Sequence, residues 1–452
     1  MMMLSQAIAQ AGGSLHAEDV RFAAVGTDSR ADCAGQLFIA LRGERFDGHE
    51  YVAAAQAAGA VAAMVDHPLP LDLPQWVVAD TRLGLGRLAA VWRDRFPGRV
   101  VAITGSNGKT TVKEMIAAIL AQAGQVRATV GNLNNDIGMP LTLLRARDED
   151  FLVLEMGANH HGEIGYMTDI ARPDVALITN AGRAHLEGFG TVEGVARAKG
   201  EIARGLPAGG VFVVGGDSPY TPLWRELAGE RRMLTFALDG AADVQAVSAD
   251  TQVAWDADGF RTVFTAIHAD GDLPLTLRLA GRHNVRNALA ATAVALALGI
   301  DADAIRAGLA SLQPVKGRLY PRRCQGLGVI DDTYNANPDS IAAAIEVLAG
   351  LAGRRWLVLG DLGELGPDAA RLHEEIGVLA RAAGIERLVT VGGLSVGASR
   401  AFGEGARHFA DQAALIAALS PELRAEDSVL VKGSRLARME RIVEALCAEV
   451  KS

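Results

Sequence analysis

The sequence predicts an α/β protein of three domains: a small mixed α/β N-terminal domain, a central phosphate-loop mononucleotide-binding α/β domain with antiparallel additions, and a C-terminal Rossmann-like α/β domain. Three observations predict it. From residue 99 onward, short apolar runs alternate with helical stretches, the pattern of a largely parallel sheet with crossover helices. The run Thr104-Gly105-Ser106-Asn107-Gly108-Lys109-Thr110-Thr111 stands between an apolar segment at 100–103 and a helical stripe of Val112, Met115, Ile116, Ile119 and Leu120, so a glycine turn opens a helix. The length of 452 residues, half of them hydrophobic, suffices for several cores.

In chain order, residues 1–80 form the first unit, with strands expected at 37–41 and 61–65 around a helix at 49–59. A linker helix over 81–98, closed by Pro97-Gly98, leads to the central domain at 99–313. There the apolar run 151–154 ends in Glu155, and another at 175–179 leads into a loop that contains His185. Ligands of open α/β sheets gather beyond the carboxyl ends of the strands, which puts Glu155 and His185 at the same edge as Lys109. Shorter, alternating sequence at 240–279 suggests antiparallel hairpins, and helical sequence resumes at Asn284. The C-terminal domain, 314–452, has apolar runs at 327–330, 356–359, 388–391 and 429–431. Pro338 and Pro367 mark helix starts, where a missing N–H costs nothing.

The glycine turn aims free backbone N–H groups at one spot near the positive end of a helix dipole, which suits a polyphosphate. Lys109 adds a point charge there, and a Thr110 or Thr111 hydroxyl can hold Mg²⁺. The spacing departs from G-x-x-x-x-G-K-[ST], because Ile103 replaces the first glycine. Glu155 is placed like an acid that coordinates Mg²⁺ across from a phosphate loop. His185 could be a metal ligand, but on its own reads first as a hydrogen-bonded loop histidine, and Lys199, in a helical segment, reads as an ordinary solvated lysine. Two polar clusters, Ser29-Arg30 and Phe46-Asp47-Gly48-His49, are candidates for ligand binding or for plain turn chemistry.

A formal net charge of −9 argues against nucleic-acid and acidic-membrane partners. The three cysteines, Cys33, Cys324 and Cys447, are odd in number and far apart. They are expected to be ordinary thiols in a reducing compartment. Residues 1–12 lack a basic, apolar leader pattern, and no segment is long enough to span a bilayer. A cytoplasmic monomer is expected.

Taken together and in order, residues 104–111, Asn132-Leu133-Asn134-Asn135-Asp136, Glu155-Met156-Gly157, His185, Lys199, Gly281-Arg282-His283-Asn284-Val285-Arg286-Asn287-Ala288 and Asp331-Asp332-Thr333-Tyr334-Asn335-Ala336-Asn337-Pro338 resemble the Mur ligase family. The asparagine-rich segments, with those at 360–366 and 430–435, resemble its D-alanyl-D-alanine-adding type, and the irregular phosphate loop is the family's own form. The resemblance implies an ATP-dependent ligase that joins D-Ala-D-Ala to UDP-N-acetylmuramoyl-tripeptide in peptidoglycan synthesis. It implies ATP phosphates on Gly105, Ser106, Asn107, Gly108, Lys109, Thr110 and Thr111, and adenine beside Asn284 and Asn287. Arg318 would reach phosphate and Asp332 the ribose. Two Mg²⁺ ions would sit among Thr110, Thr111, Glu155, His185 and a carbamate on Lys199. For substrate it implies a UDP-sugar site at Ser29, Arg30, Phe46, Asp47, Gly48 and His49, a muramoyl-peptide side at Asn134 and Asn135, and a dipeptide side at Tyr334, Asn335 and Asn337. Two alternatives remain: a related ligase, such as a diamino-acid-adding Mur enzyme or a folylpolyglutamate synthase, and a phosphate-loop switch or motor that makes no amide.

Overall fold

Strand Arg99–Thr104 carries a continuous apolar run because neither of its faces meets water. Val100 and Ala102 point into one core and Val101 and Ile103 into another, the two-residue alternation of a strand covered on both sides. The structure is a computed structural model, and it describes residues 1–247, 252–256, 259–324 and 326–448.

Parallel neighbours follow in the order Val126–Ala128, Phe151–Glu155, Arg99–Thr104, Val175–Ile178, Val211–Gly215, Arg232–Ala237 and Val244–Gln245. The strands that come after Arg99–Thr104 in sequence lie on both of its sides. The turn at 105–108 therefore opens over a topological switch point, the crevice where such sheets bind ligands. Helices Lys109–Leu120 and Arg282–Ala297 cover one face, and Gly138–Arg145 with Glu163–Ala171 cover the other. The antiparallel sequence expected at 240–279 is found in Gly259–His268, which pairs with Gln252–Asp256 and Gly271–Leu277; residues 248–251 and 257–258 lie outside the described residues.

Before this sheet comes a five-stranded one, in the order Ser14–His16, Gln75–Val77, Ala62–Val65, Gln36–Ile39 and Ala24–Gly26. The helix expected at 49–59 divides into a 3-10 turn, Gly48–Tyr51, and helix Val52–Ala57, because the Asp47 carboxylate accepts from the His49 N–H and tightens the first turn. The linker helix, Thr81–Arg93, is capped by Asp80 and ends four residues before Pro97.

After the central sheet, six strands run Tyr320–Cys324, Leu327–Asp332, Ser428–Lys432, Arg355–Gly360, Arg387–Val391 and Ala406–Phe409, with only the first pair antiparallel. Ser428–Lys432 lies between strands that precede it in sequence, which makes a second switch point. Asp332 and Lys432 face each other across it. Pro338 stands in the first turn of helix Pro338–Ala349, and Pro367 in a 3-10 turn that leads into Ala369–Ala382.

One expectation is corrected. Cys324 and Cys447 form a disulfide with their Cα atoms 4.8 Å apart, and only Cys33 is a free, buried thiol. Their separation of 123 residues hid the meeting of the edge strand with the end of the last helix. Thiol titration of the unfolded chain is expected to find one thiol before reduction and three after it. Three before reduction would contradict the pairing.

Candidate active site

The phosphate loop needs both of its glycines. Gly105 has φ +148°, and a Cβ there would meet Thr179 Oγ1 at 1.9 Å; Gly108 has φ +80°, and a Cβ would meet Asn287 Oδ1 at 2.7 Å. The next parallel strand holds the loop in place: Ser106 N–H donates to Asn180 O (3.1 Å), Asn107 N–H to Asn180 Oδ1 (2.9 Å), and Thr179 Oγ1 to Asn107 O (2.6 Å). Two N–H groups of the loop are thus engaged. Those of Lys109, Thr110 and Thr111, in the first helical turn, have no intrahelical acceptor and open on the crevice. Lys109 curls back so that Nζ donates to Gly105 O at 2.6 Å. Burial depresses its pKa, with Arg318 adding to the effect and Glu155 opposing it.

Glu155 is buried where its strand ends, and both carboxylate oxygens are engaged: Oε2 accepts from Thr110 Oγ1 (3.0 Å) and Oε1 from Asn134 Nδ2 (2.8 Å). Arg318 reaches across from the residues before the C-terminal sheet and donates to the same Thr110 hydroxyl at 3.0 Å, its guanidinium 4.2 Å over the Tyr334 ring. A phosphate loop, a carboxylate and a remote arginine thus converge on one atom. That arrangement suits phosphoryl transfer, where charge must be screened from several sides at once.

His185 adopts left-handed backbone (φ +55°), and its Nδ1 lies 2.7 Å from the Glu364 carboxylate, itself left-handed at φ +60°. Two non-glycine residues in this sparsely populated region, paired across the crevice, mark a constrained junction. The hydrogen bond from His185 holds the Glu364 carboxyl below its ordinary range. Lys199 is only 1% exposed. Its Nζ has no hydrogen-bond partner and lies 5.3 Å over the Phe189 ring, and burial, then the Lys109 charge, pushes its pKa down to about 7.

One cavity of about 810 Å³ is lined by Ser106 to Thr111, Asn134, Asn135, Glu155, His185, Asn284, Asn287, Arg318, Asp332, Tyr334, Asn335 and Asn337. Gly105 and Lys199 lie outside this lining, Gly105 under the loop. Several of the asparagines already hold backbone. Asn135 Oδ1 accepts from Gly138 N–H (2.8 Å), and Asn337 caps its helix through Ser340 N–H (2.9 Å) while its amide donates to Asn107 Oδ1 (2.7 Å). Asn335 Oδ1 accepts from Ala336 N–H, Asn284 donates to Ala280 O, and Asn287 donates to Asn284 Oδ1. Asp332 is tied to Lys432 Nζ at 2.6 Å.

The N-terminal candidates stand apart from this cavity. Arg30 is exposed and hydrogen-bonds Asp28, whose carboxyl it draws down to about 2; Ser29 lies between them in sequence. Phe46 is exposed, and Asp47, lowered to about 2 by hydrogen bonds from the His49 backbone and then its ring, fixes His49. His49 Nε2 accepts from Asp66 N–H at 3.0 Å. Gly48 packs so closely that a Cβ would meet Leu41 O at 2.6 Å.

Sequence reasoning missed several residues of the cavity wall. Arg183 bonds Asp339 at 2.9 Å across the crevice, and Arg82 pairs with Asp136 beside the Asn134-Asn135 turn. His283 is half-buried, with its Nδ1 atom buried and unpartnered, and desolvation lowers its pKa to about 4. Ser434, Arg435 and Leu436 also line the wall. Local periodicity carries no signal for cross-crevice ion pairs. The runs at 360–366 and 430–435 did carry one, without a role attached.

Three family profiles match the chain in order: "Mur ligase family, catalytic domain" over 21–85, "Mur ligase middle domain" over 103–295, and "Mur ligase, glutamate ligase domain" over 317–435. The chain belongs to the Mur ligase family. Within the family it is 47% identical over 448 residues to the UDP-N-acetylmuramoyl-tripeptide--D-alanyl-D-alanine ligase of Escherichia coli K12, with 98% of each chain covered. Among solved structures, MurF from Acinetobacter baumannii superposes with a TM-score of 0.92 at 37% identity and 99% coverage of both chains. MurF from Thermotoga maritima in complex with ADP gives 0.84 at 30% identity, covering 95% of this chain and 98% of its own. Among the described residues no helix is long and apolar enough to cross a membrane.

Proposed function

We infer that this chain is an ATP-dependent ligase that joins D-alanyl-D-alanine to UDP-N-acetylmuramoyl-tripeptide, giving the pentapeptide precursor of peptidoglycan. The convergence of the phosphate loop, Glu155 and Arg318 on the Thr110 hydroxyl carries the chemistry. Similarity along the whole chain to ligases named for this reaction carries the substrates.

A carboxylate is a poor acyl donor because its oxygen is a poor leaving group, and ATP removes that obstacle. The terminal carboxylate of the tripeptide attacks the γ-phosphorus in line, forming an acyl phosphate as ADP leaves. The dipeptide amine then attacks the acyl carbon, phosphate departs from the tetrahedral intermediate, and the amine proton is released. Both reactants of the first step are anionic, so the free N–H groups at Lys109 to Thr111, the Lys109 ammonium and the Arg318 guanidinium work by screening charge. Asn287, which backs the loop at Gly108, and Asn284, bonded to it, face the adenine, and Asp332 the ribose.

The donor set fits a hard cation: Glu155 and the Thr110 and Thr111 hydroxyls are oxygen ligands, with His185 at the second position. Lys199, behind the lining and within reach of the Lys109 charge, would join this set once carbamylated. A partnerless buried amine with a pKa near 7 is largely neutral at physiological pH, so it can attack CO₂ and become an anion with two oxygen donors. Bound Mg²⁺ supplies charge neutralisation on the transferring phosphoryl group.

The units divide the work. Residues 1–80 hold the UDP-sugar through Ser29, Arg30 and the 46–49 turn, the helix over 81–98 joins them to the ATP-binding unit at 99–313, and residues 314–452 bring in the dipeptide. Asn134 and Asn135 shape the muramoyl-peptide side, and Tyr334, Asn335 and Asn337 the dipeptide side. All of these groups come from one chain, so no second copy is needed to complete the site, and the ATP requirement supports a cytoplasmic location. Phosphate release is measured with ATP, Mg²⁺ and UDP-muramoyl tripeptide, adding in turn D-Ala-D-Ala, single amino acids or folate substrates. Release should track the dipeptide and match amide formed one to one. Release that ignores the dipeptide would sink the assignment.

A further inference from the structure

The second switch point, in the C-terminal sheet, ends in two loops that the chemistry so far leaves unused: 361–366 after Arg355–Gly360, and 433–436 after Ser428–Lys432. Both reach the cavity, through Glu364 and Leu365 on one side and Arg435 and Leu436 on the other. Leu436 is 90% exposed, far more than any other large apolar side chain among the described residues. Its neighbour Arg435 is also exposed.

A dipeptide that offers its amine to the acyl phosphate must leave its carboxylate at the far end, roughly 7 Å away for two extended residues. That carboxylate needs a cation. The cavity wall offers six. Lys109 is folded onto the phosphate loop and Arg318 onto Thr110; Arg82 pairs with Asp136, Arg183 with Asp339, and Lys432 with Asp332 at 2.6 Å. Arg435 has the weakest hold, a single contact from Nη1 to Glu440 at 3.4 Å. A guanidinium in this setting can turn to a better acceptor and bind it with two parallel hydrogen bonds.

We propose that Arg435 captures the terminal carboxylate of the incoming dipeptide, with Leu436 and Leu365 packing on its methyl groups, so that this corner selects a two-residue acceptor by length and charge. The assignment rests on the ligase reading above and adds the residue that decides which amine is accepted. A single amino acid seated with its carboxylate on Arg435 would hold its amine short of the acyl carbon.

Steady-state kinetics of wild type, Arg435→Ala and Arg435→Lys test this, with D-Ala-D-Ala and its C-terminal amide as acceptors and thermal unfolding as a check on folding. Arg435→Ala should raise KM for the dipeptide roughly 10- to 100-fold and leave KM for ATP and for UDP-tripeptide within about twofold, with Arg435→Lys recovering part of the loss. Wild type should discriminate strongly against the amide, and Arg435→Ala should not. An unchanged KM for the dipeptide, or discrimination that survives in a folded Arg435→Ala, overturns the proposal. Wild type that forms no product with the dipeptide would instead overturn the ligase reading, so the two failures are distinct.

Discussion

Lys109→Met is expected to lower kcat by about 10³-fold, or roughly 4 kcal/mol of transition-state stabilisation, while the protein stays folded. Nζ stands over the loop through its bonds to Gly105 O and Ser106 O. Methionine keeps the length and apolar stem of the side chain and deletes only the charge. Burial already disfavours the ammonium when no phosphate is bound, so the substitution removes a desolvated charge as well as a catalytic one. Its melting temperature is therefore expected to match or exceed that of wild type. Single-turnover measurement of ATP cleavage with UDP-tripeptide checks the rate, and a loss below tenfold would leave Lys109 without the role assigned to it.

Lys199→Met should cost about 100-fold in activity at limiting Mg²⁺, with part of the loss regained at saturating Mg²⁺. In wild type, ¹³C-labelled bicarbonate should give a carbamate resonance that Lys199→Met lacks. The sign of the pH effect follows from the pKa. The ordinary lysine value is 10.5 and the folded value about 7, so the unfolded chain binds more protons between them. In CO₂-free buffer this group makes stability rise with pH from about 7 toward 10.5, and Lys199→Met removes that slope. Thermal unfolding across this window reads it directly. Full activity of Lys199→Met at limiting Mg²⁺, or a carbamate signal that survives the substitution, would rule out the carbamate ligand.

Much of the fold was legible because its signals are local. The alternation at 100–103, the strand ending in Glu155, and the prolines at 338 and 367 each reflect a periodicity or a backbone constraint that acts within a few residues. The phosphate loop was legible for the same reason. Lys199 was not: its burial depends on Phe189 and the core around it, and a helix shows no sign in sequence of which lysine points inward without a partner. Asn337 shows the reverse difficulty. Its place in a familiar motif pointed to substrate, yet its amide spans the crevice to Asn107 and caps a helix, work that only the assembled units reveal. The Cys324–Cys447 bond and the pairing of His185 with Glu364 belong to the same class, since both join segments more than 100 residues apart.

In the proposed reaction this crevice activates a carboxylate by transferring phosphate to it. Tripeptide substrate labelled with ¹⁸O in its terminal carboxylate tests this most directly. If an acyl phosphate forms, one labelled oxygen leaves with the phosphorus, and mass spectrometry should find ¹⁸O in the phosphate released for each amide made. Phosphate free of label, accompanied by amide product, would rule out the acyl phosphate.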